Sequence, residues 1–109
     1  MPNEPSLRIA WTTVETSGQA EKLARLAVES NLAACVQIDA PIRSVYQWKG
    51  TVESTTEVRL WIKYPAGNEM ALWELIRGNH PYGIPQWIAV DAAAVSSAYR
   101  DWALGQSAD

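Results

Sequence analysis

The chain has no phenylalanine, one cysteine, one histidine and no apolar run long enough to cross a bilayer. Each absence removes a class of function. A single thiol, Cys35, cannot close an intrachain disulfide. One Cys and one His cannot supply four ligands to a structural zinc ion within a single chain. The nine basic residues are dispersed and the net charge is −3, so nucleic acid is not an expected partner. There is no glycine-rich phosphate loop, no Cys-x-x-Cys pair and no Gly-x-Ser-x-Gly elbow. Met1-Pro-Asn-Glu-Pro-Ser6 lacks the basic head and apolar middle of a secretory signal, so the expected location is the cytoplasm, without a membrane partner.

What is present is enough for one packed domain: 109 residues, of which 48% are hydrophobic and 19% charged. The expected organisation is a loose tail at 1–6, one domain at 7–104 and a short tail at 105–109. Six Trp and four Tyr carry the whole aromatic content. Both have an apolar body and a polar tip, which suits a subunit interface or a ligand cleft.

Periodicity orders the elements. Leu7 to Val14 reads as a strand, and Thr16 with Gln19 has capping-box spacing. The helix that follows carries an apolar stripe of Ala20, Leu23, Ala24, Ala27 and Val28, with Glu21, Arg25 and Glu29 on the outer side, and ends near Asn31. Strands are expected over Ala33–Asp39 and Ile42–Lys49, with a turn at Gly50. Glu57 to Tyr64 alternates, placing Val58, Leu60, Ile62 and Tyr64 opposite Glu57, Arg59, Trp61 and Lys63. A second helix over Glu69–Arg77, with Asn68 as its cap, stops at Gly78-Asn-His-Pro81. Pro85 to Asp91 reads as a last strand and Val95 to Leu104 as a short helix.

The fold class is therefore α+β, a ferredoxin-like β-α-β-β-α-β antiparallel sheet with two helices on one face and a short C-terminal helix. Helices on one face leave the other, with Trp61, uncovered. An uncovered apolar face implies a homo-oligomer.

Three islands occur in fixed order: Leu32-Ala-Ala-Cys-Val-Gln-Ile38, Ser44-Val-Tyr-Gln-Trp-Lys-Gly50 and His80-Pro-Tyr-Gly-Ile-Pro85. With Glu57-Val-Arg-Leu-Trp-Ile-Lys63 and Tyr99-Arg-Asp-Trp102, they resemble the CutA divalent-cation tolerance family over roughly residues 7 to 103. The resemblance implies a homotrimer associated with tolerance to divalent metal such as copper, binding it weakly if at all. Beside Cys35 or His80 no motif supplies a base and an oxyanion donor, so no enzymatic activity is expected. It also implies an architectural similarity to PII signalling proteins. The alternative function is accordingly a PII-like module that binds a small anionic ligand in clefts between subunits.

The candidate metal ligands are His80 and Cys35. Cys35 reads either as a soft ligand or nucleophile, or as a small buried hydrophobe. His80 reads either as a ligand or as a helix-end residue bonding spare carbonyls. Metal-site proposals for the family use a Cys on the first strand and a doubled His, and the matching positions here are Thr12 and Asn79. Gln86 stands where the family motif has Glu. These departures weaken a metal role. Tyr46, Trp48, Glu57, Lys63 and Tyr82 match family positions at the inter-subunit cleft, where they line a small-ligand pocket or join the subunits.

Overall fold

Two antiparallel strands set the frame in the computed structural model, which describes residues 6–105. The tails expected at 1–6 and 105–109 lie, apart from Ser6 and Gly105, outside those residues. β1 (Leu7–Val14) runs against β4 (Thr51–Pro65), with Leu7 opposite Pro65 and Val14 opposite Val58. Alternation decides which side is buried. Ala10, Thr12 and Val14 of β1 and Val58, Leu60, Ile62 and Tyr64 of β4 are buried beneath the helices.

α1 (Ser17–Glu29) starts with the expected capping box: the Thr16 hydroxyl accepts from Gln19 N–H, and the Gln19 side chain accepts from Thr16 N–H. Its stripe of Ala20, Leu23, Ala24 and Ala27 joins Leu72 and Ile76 of α2 (Glu69–Asn79) in the main core. Arg25 pairs with Glu21 at 2.8 Å on the exposed side. Asn31 follows α1 with φ of 64°, a left-handed position that asparagine tolerates. Truncating a fully buried member such as Leu60 to Ala removes roughly 2–5 kcal/mol.

β2 (Cys35–Ile38) and β3 (Ile42–Trp48) both pair with β4, β2 along Leu60–Lys63 and β3 along Thr51–Glu57. They act as one strand broken at Asp39-Ala40-Pro41, where proline has no amide hydrogen for the ladder. β5 (Ile88–Asp91) flanks β1 on the other side. The sheet thus reads β5, β1, β4, then β2 with β3, all antiparallel, which is the expected ferredoxin-like arrangement with one edge strand split.

Four local expectations are revised. β4 begins at Thr51 rather than Glu57, so β3 and β4 form a long hairpin, and the longest dimension of the molecule is 46 Å. α3 (Ser97–Gly105) does not leave the second sheet face bare: Ala103 packs with Leu7 and Ala34, and Tyr99 joins the same cluster. Trp87 precedes β5 instead of lying in a strand. It packs on Trp73 and Tyr64, with centroids 5.3 and 6.1 Å away, and donates from Nε1 to Glu69 at 2.9 Å. Asn68 makes no side-chain cap; its Nδ2 donates to the Leu32 carbonyl at 3.1 Å. Among the described residues no helix is long and apolar enough to cross a membrane.

Candidate functional site

His80 leaves α2 in an extended conformation, as the residue before Pro81 must. That turn carries its ring to the buried side of β1, where Nε2 lies 3.1 Å from Thr12 Oγ1. Nδ1 accepts the Tyr82 backbone N–H at 3.1 Å. A backbone amide can only donate, so Nδ1 is unprotonated and the neutral ring carries its proton on Nε2, directed at Thr12. Burial lowers the pKa of His80 below its ordinary value of 6.5, against opposing contributions from a Thr13 backbone hydrogen bond and the charge of Glu57. The helix-end reading, a histidine on spare carbonyls, does not describe this residue. Asn79 takes that role, donating to the Leu75 carbonyl at 2.8 Å.

Tyr82 follows immediately. Its ring meets His80 edge-on at 5.0 Å, and its hydroxyl donates to Glu57 Oε2 at 2.8 Å. Burial, the Glu57 hydrogen bond and the charges of Glu57 and Glu15 raise its pKa above the usual phenol range. Glu57 sits opposite Ile42 at the base of the hairpin. Around this pair opens a concavity of about 690 Å³, lined by Tyr46, Trp48, Glu57, Tyr82, Ile84 and Gln86 among others. Four of the five residues expected at the cleft therefore meet in one chain.

Lys63 is not among them. Six residues further along the same face of β4, it stands about 20 Å from Glu57. Its Nζ lies over the Tyr99 ring at 5.7 Å. Cys35, half-buried on β2, is register-paired with Lys63 and shares its sheet face. His80 is on the opposite face and about 10 Å nearer the other end of the strands. One chain does not bring Cys35 and His80 together.

The donor set does not fit a divalent cation within one subunit. Both ring nitrogens of His80 are engaged, Asn79 is tied to its own helix, and Thr12 offers a neutral hydroxyl. Among the described residues no three His, Cys, Asp or Glu side chains gather as a ligand group.

Sequence reasoning missed two features. Ile84 and Gly83 line the pocket from an irregular segment without periodicity. Asp39 accepts hydrogen bonds from Trp61 Nε1 and Arg59 Nε, each at 2.8 Å, and Trp61 packs edge-on against Trp11 at 5.2 Å. The Trp61 and Arg59 donors, with the charge of Arg59, outweigh burial and hold the Asp39 pKa below the ordinary 3.8. The long sequence separation of these partners gave no local signal.

Comparison with known proteins gives the family. The family model for the CutA1 divalent ion tolerance protein matches residues 8–106. Divalent-cation tolerance protein CutA of Thermus thermophilus is 34% identical over 94 residues, covering 86% of this chain and 91% of its own. Protein CutA of Mus musculus is 36% identical over 97 residues and covers 89% of this chain, which spans only 55% of that longer protein. The chain likewise spans 64% of the CutA homolog of Xenopus laevis. The solved structure of CutA from Synechococcus elongatus superimposes with a TM-score of 0.89 at 40% identity, covering 95% of this chain and 91% of the other. That of CutA1 from a Shewanella species gives 0.92 at 31% identity, covering 97% and 99%. The order of strands, the hairpin and the His80-Pro-Tyr82 turn thus sit in a known frame, and the chain belongs to the CutA1 divalent ion tolerance protein family.

Proposed function

We propose that the chain acts as a homotrimer in tolerance to divalent cations such as copper, and that its direct contact with the ion is weak. The observation that carries the assembly is the β3–β4 hairpin. Val45 and Val52 are 70% and 67% exposed, and Tyr46 and Trp48 are exposed beside them. A two-stranded ribbon with so little covering is marginal by itself, so neighbouring copies are its natural support. The weakness of metal contact follows from His80. Coordination at Nδ1 displaces the Tyr82 amide, and coordination at Nε2 displaces a proton and the Thr12 contact.

The PII-like alternative, a small anion bound through Lys63, draws no support from this geometry. Lys63 is remote from the pocket, whose charged lining residue is Glu57. No enzymatic step is proposed.

The test is calorimetric titration with copper(II) and zinc(II) on protein whose mass is fixed by light scattering. A mass three times the 12.1 kDa chain, with weak binding that His80→Ala abolishes, is the expected result. A monomer, or tight binding indifferent to His80→Ala, overturns it.

A further inference from the structure

We infer that Glu69, the first residue of α2, is a latch that controls whether the edge strand β5 stays docked on the sheet, holding that strand at both of its ends. Within one subunit β5 has little else to keep it in place. It is four residues long and its ladder partner is β1. Ile88 and Val90 are 55% and 42% exposed, and of its apolar residues Ala89 is the one packed against the main core.

Two threads run from β5 to the same carboxylate. The first starts at Trp87, the residue before the strand, which donates from Nε1 to Glu69 Oε2 at 2.9 Å while its ring lies on Trp73 and Tyr64. The second starts at Asp91, the last residue of the strand. Arg8 of β1 stands opposite both Asp91 and Tyr64, and cross-strand partners share a sheet face. Its Nη1 is 3.6 Å from Asp91 Oδ1 and its Nε 3.5 Å from Glu69 Oε1. Tyr64, from β4, also donates its hydroxyl to Glu69 Oε1. One carboxylate thus joins α2 to β1, to β4 and to both ends of β5.

A glutamate in the first turn of a helix needs no such partners, because water and the helix dipole suffice for it. This one is turned over the sheet instead. Burial, and after it the Glu69 hydrogen bond and charge, raise the Tyr64 pKa above the usual phenol range, so the hydroxyl remains a donor. Arg8 Nε is buried and makes no hydrogen bond of its own. Without the Glu69 charge it is a buried donor on a cation whose remaining ion-pair partner is the exposed Asp91, and moving toward water is then its better state. Loss of the latch therefore loosens Trp87 and Asp91 together. With β5 undocked, β1 becomes the edge of the sheet, a local opening that leaves the packing of α1 on β4 in place.

The experiment is native-state hydrogen exchange on the whole protein, followed by mass spectrometry of peptides over 86–92 and over α1 and β4. Light scattering on the same samples reports assembly. Glu69→Gln leaves one acceptor oxygen where the carboxylate has two and removes the charge facing Arg8. Trp87→Phe keeps a ring against Trp73 and Tyr64 and removes only the N–H donor. Each is expected to speed exchange over 86–92 about tenfold, with α1 and the second half of β4 as slow as in the parent and the mass unchanged. Glu74→Gln, which alters the exposed pair with Arg77 on the same helix, should change neither region. Unchanged exchange over 86–92 in Glu69→Gln and Trp87→Phe overturns the proposal. So does equal loosening of α1 and β4, or loosening that occurs only where the mass also falls.

Discussion

Thr12 Oγ1 and His80 Nε2 stand 3.1 Å apart and join β1 to the exit of α2 across 68 positions of sequence. With the Tyr82 amide on Nδ1, the pair stores histidine in its neutral form inside the fold. Because the folded pKa is lowered, the unfolded chain takes up this proton first as pH falls. The contribution of His80 to stability is therefore complete above 6.5 and is lost as pH falls through the depressed folded value. Denaturant midpoints measured from about pH 8 to about pH 5 should drop in the acid half of that range. His80→Gln should flatten the drop, and an unchanged slope would sink the assignment.

The same contact explains how little separates this chain from a metal site. Thr12→Cys places a thiol beside His80 Nε2, where a hydroxyl now serves. Zinc(II) affinity should rise about tenfold or more over the parent, measured by competition with a chromogenic chelator. Equal affinities would show that the ring does not leave its bond to the Tyr82 amide.

Asp39 tests the sheet face on which Trp61 lies. Its lowered pKa has Trp61 as the first cause and Arg59 as the second, so the stabilisation exists above the ordinary carboxylate value of 3.8 and is lost as pH falls through the folded one. Trp61→Phe removes the indole donor and should move the Asp39 titration, followed by carbon NMR of the carboxyl, upward. A titration that does not move would assign the whole effect to Arg59.

Elements that bury one face in a single chain were legible in the sequence. α1 and α2 carry a helical stripe and the second half of β4 strict alternation because a solvent side opposes a core side, while β1 buries Ala10, Thr12 and Val14 within a looser pattern. Thr51 to Thr56 shows no such pattern, because both faces of the hairpin are open in one subunit and nothing selects apolar residues at every second position. The pocket was half legible. Tyr46, Trp48, Glu57 and Tyr82 were found by resemblance, but Lys63 was grouped with them because spacing along a strand says nothing of distance from a site. The Asp39 cluster was invisible, since its partners lie 20 and 22 positions away.

The hairpin turn carries a correctable strain. Lys49 and Gly50 have φ of 50° and 80°, and Trp48 pairs with Thr51, as in a two-residue turn of the I′ kind. Asparagine fits the first position better than lysine, whose Cβ crowds the backbone in the left-handed region. Lys49→Asn should stabilise the protein by roughly 0.5–1 kcal/mol in chemical denaturation. A loss of stability would mean that the Lys49–Trp48 contact outweighs the backbone gain.

The hairpin is also the test of the proposed assembly. Val45 lies opposite Ser54 and Val52 opposite Gln47, so the two valines are diagonal neighbours on one face of the ribbon. They are the kind of pair a soluble chain exposes only where a partner covers it, and burying each against a neighbour contributes roughly 1.5–3 kcal/mol. The double substitution Val45→Glu with Val52→Glu places charges on that face without touching the core of the subunit, to which neither valine belongs. Light scattering should then report the mass of one chain while far-ultraviolet circular dichroism stays that of the parent. Thermal stability should fall too, because in the proposed trimer the native state binds a partner that the unfolded state does not. A variant that keeps the parent mass would place the subunit contacts elsewhere, on the edges of β2 and β5, and leave the exposed ribbon without a partner.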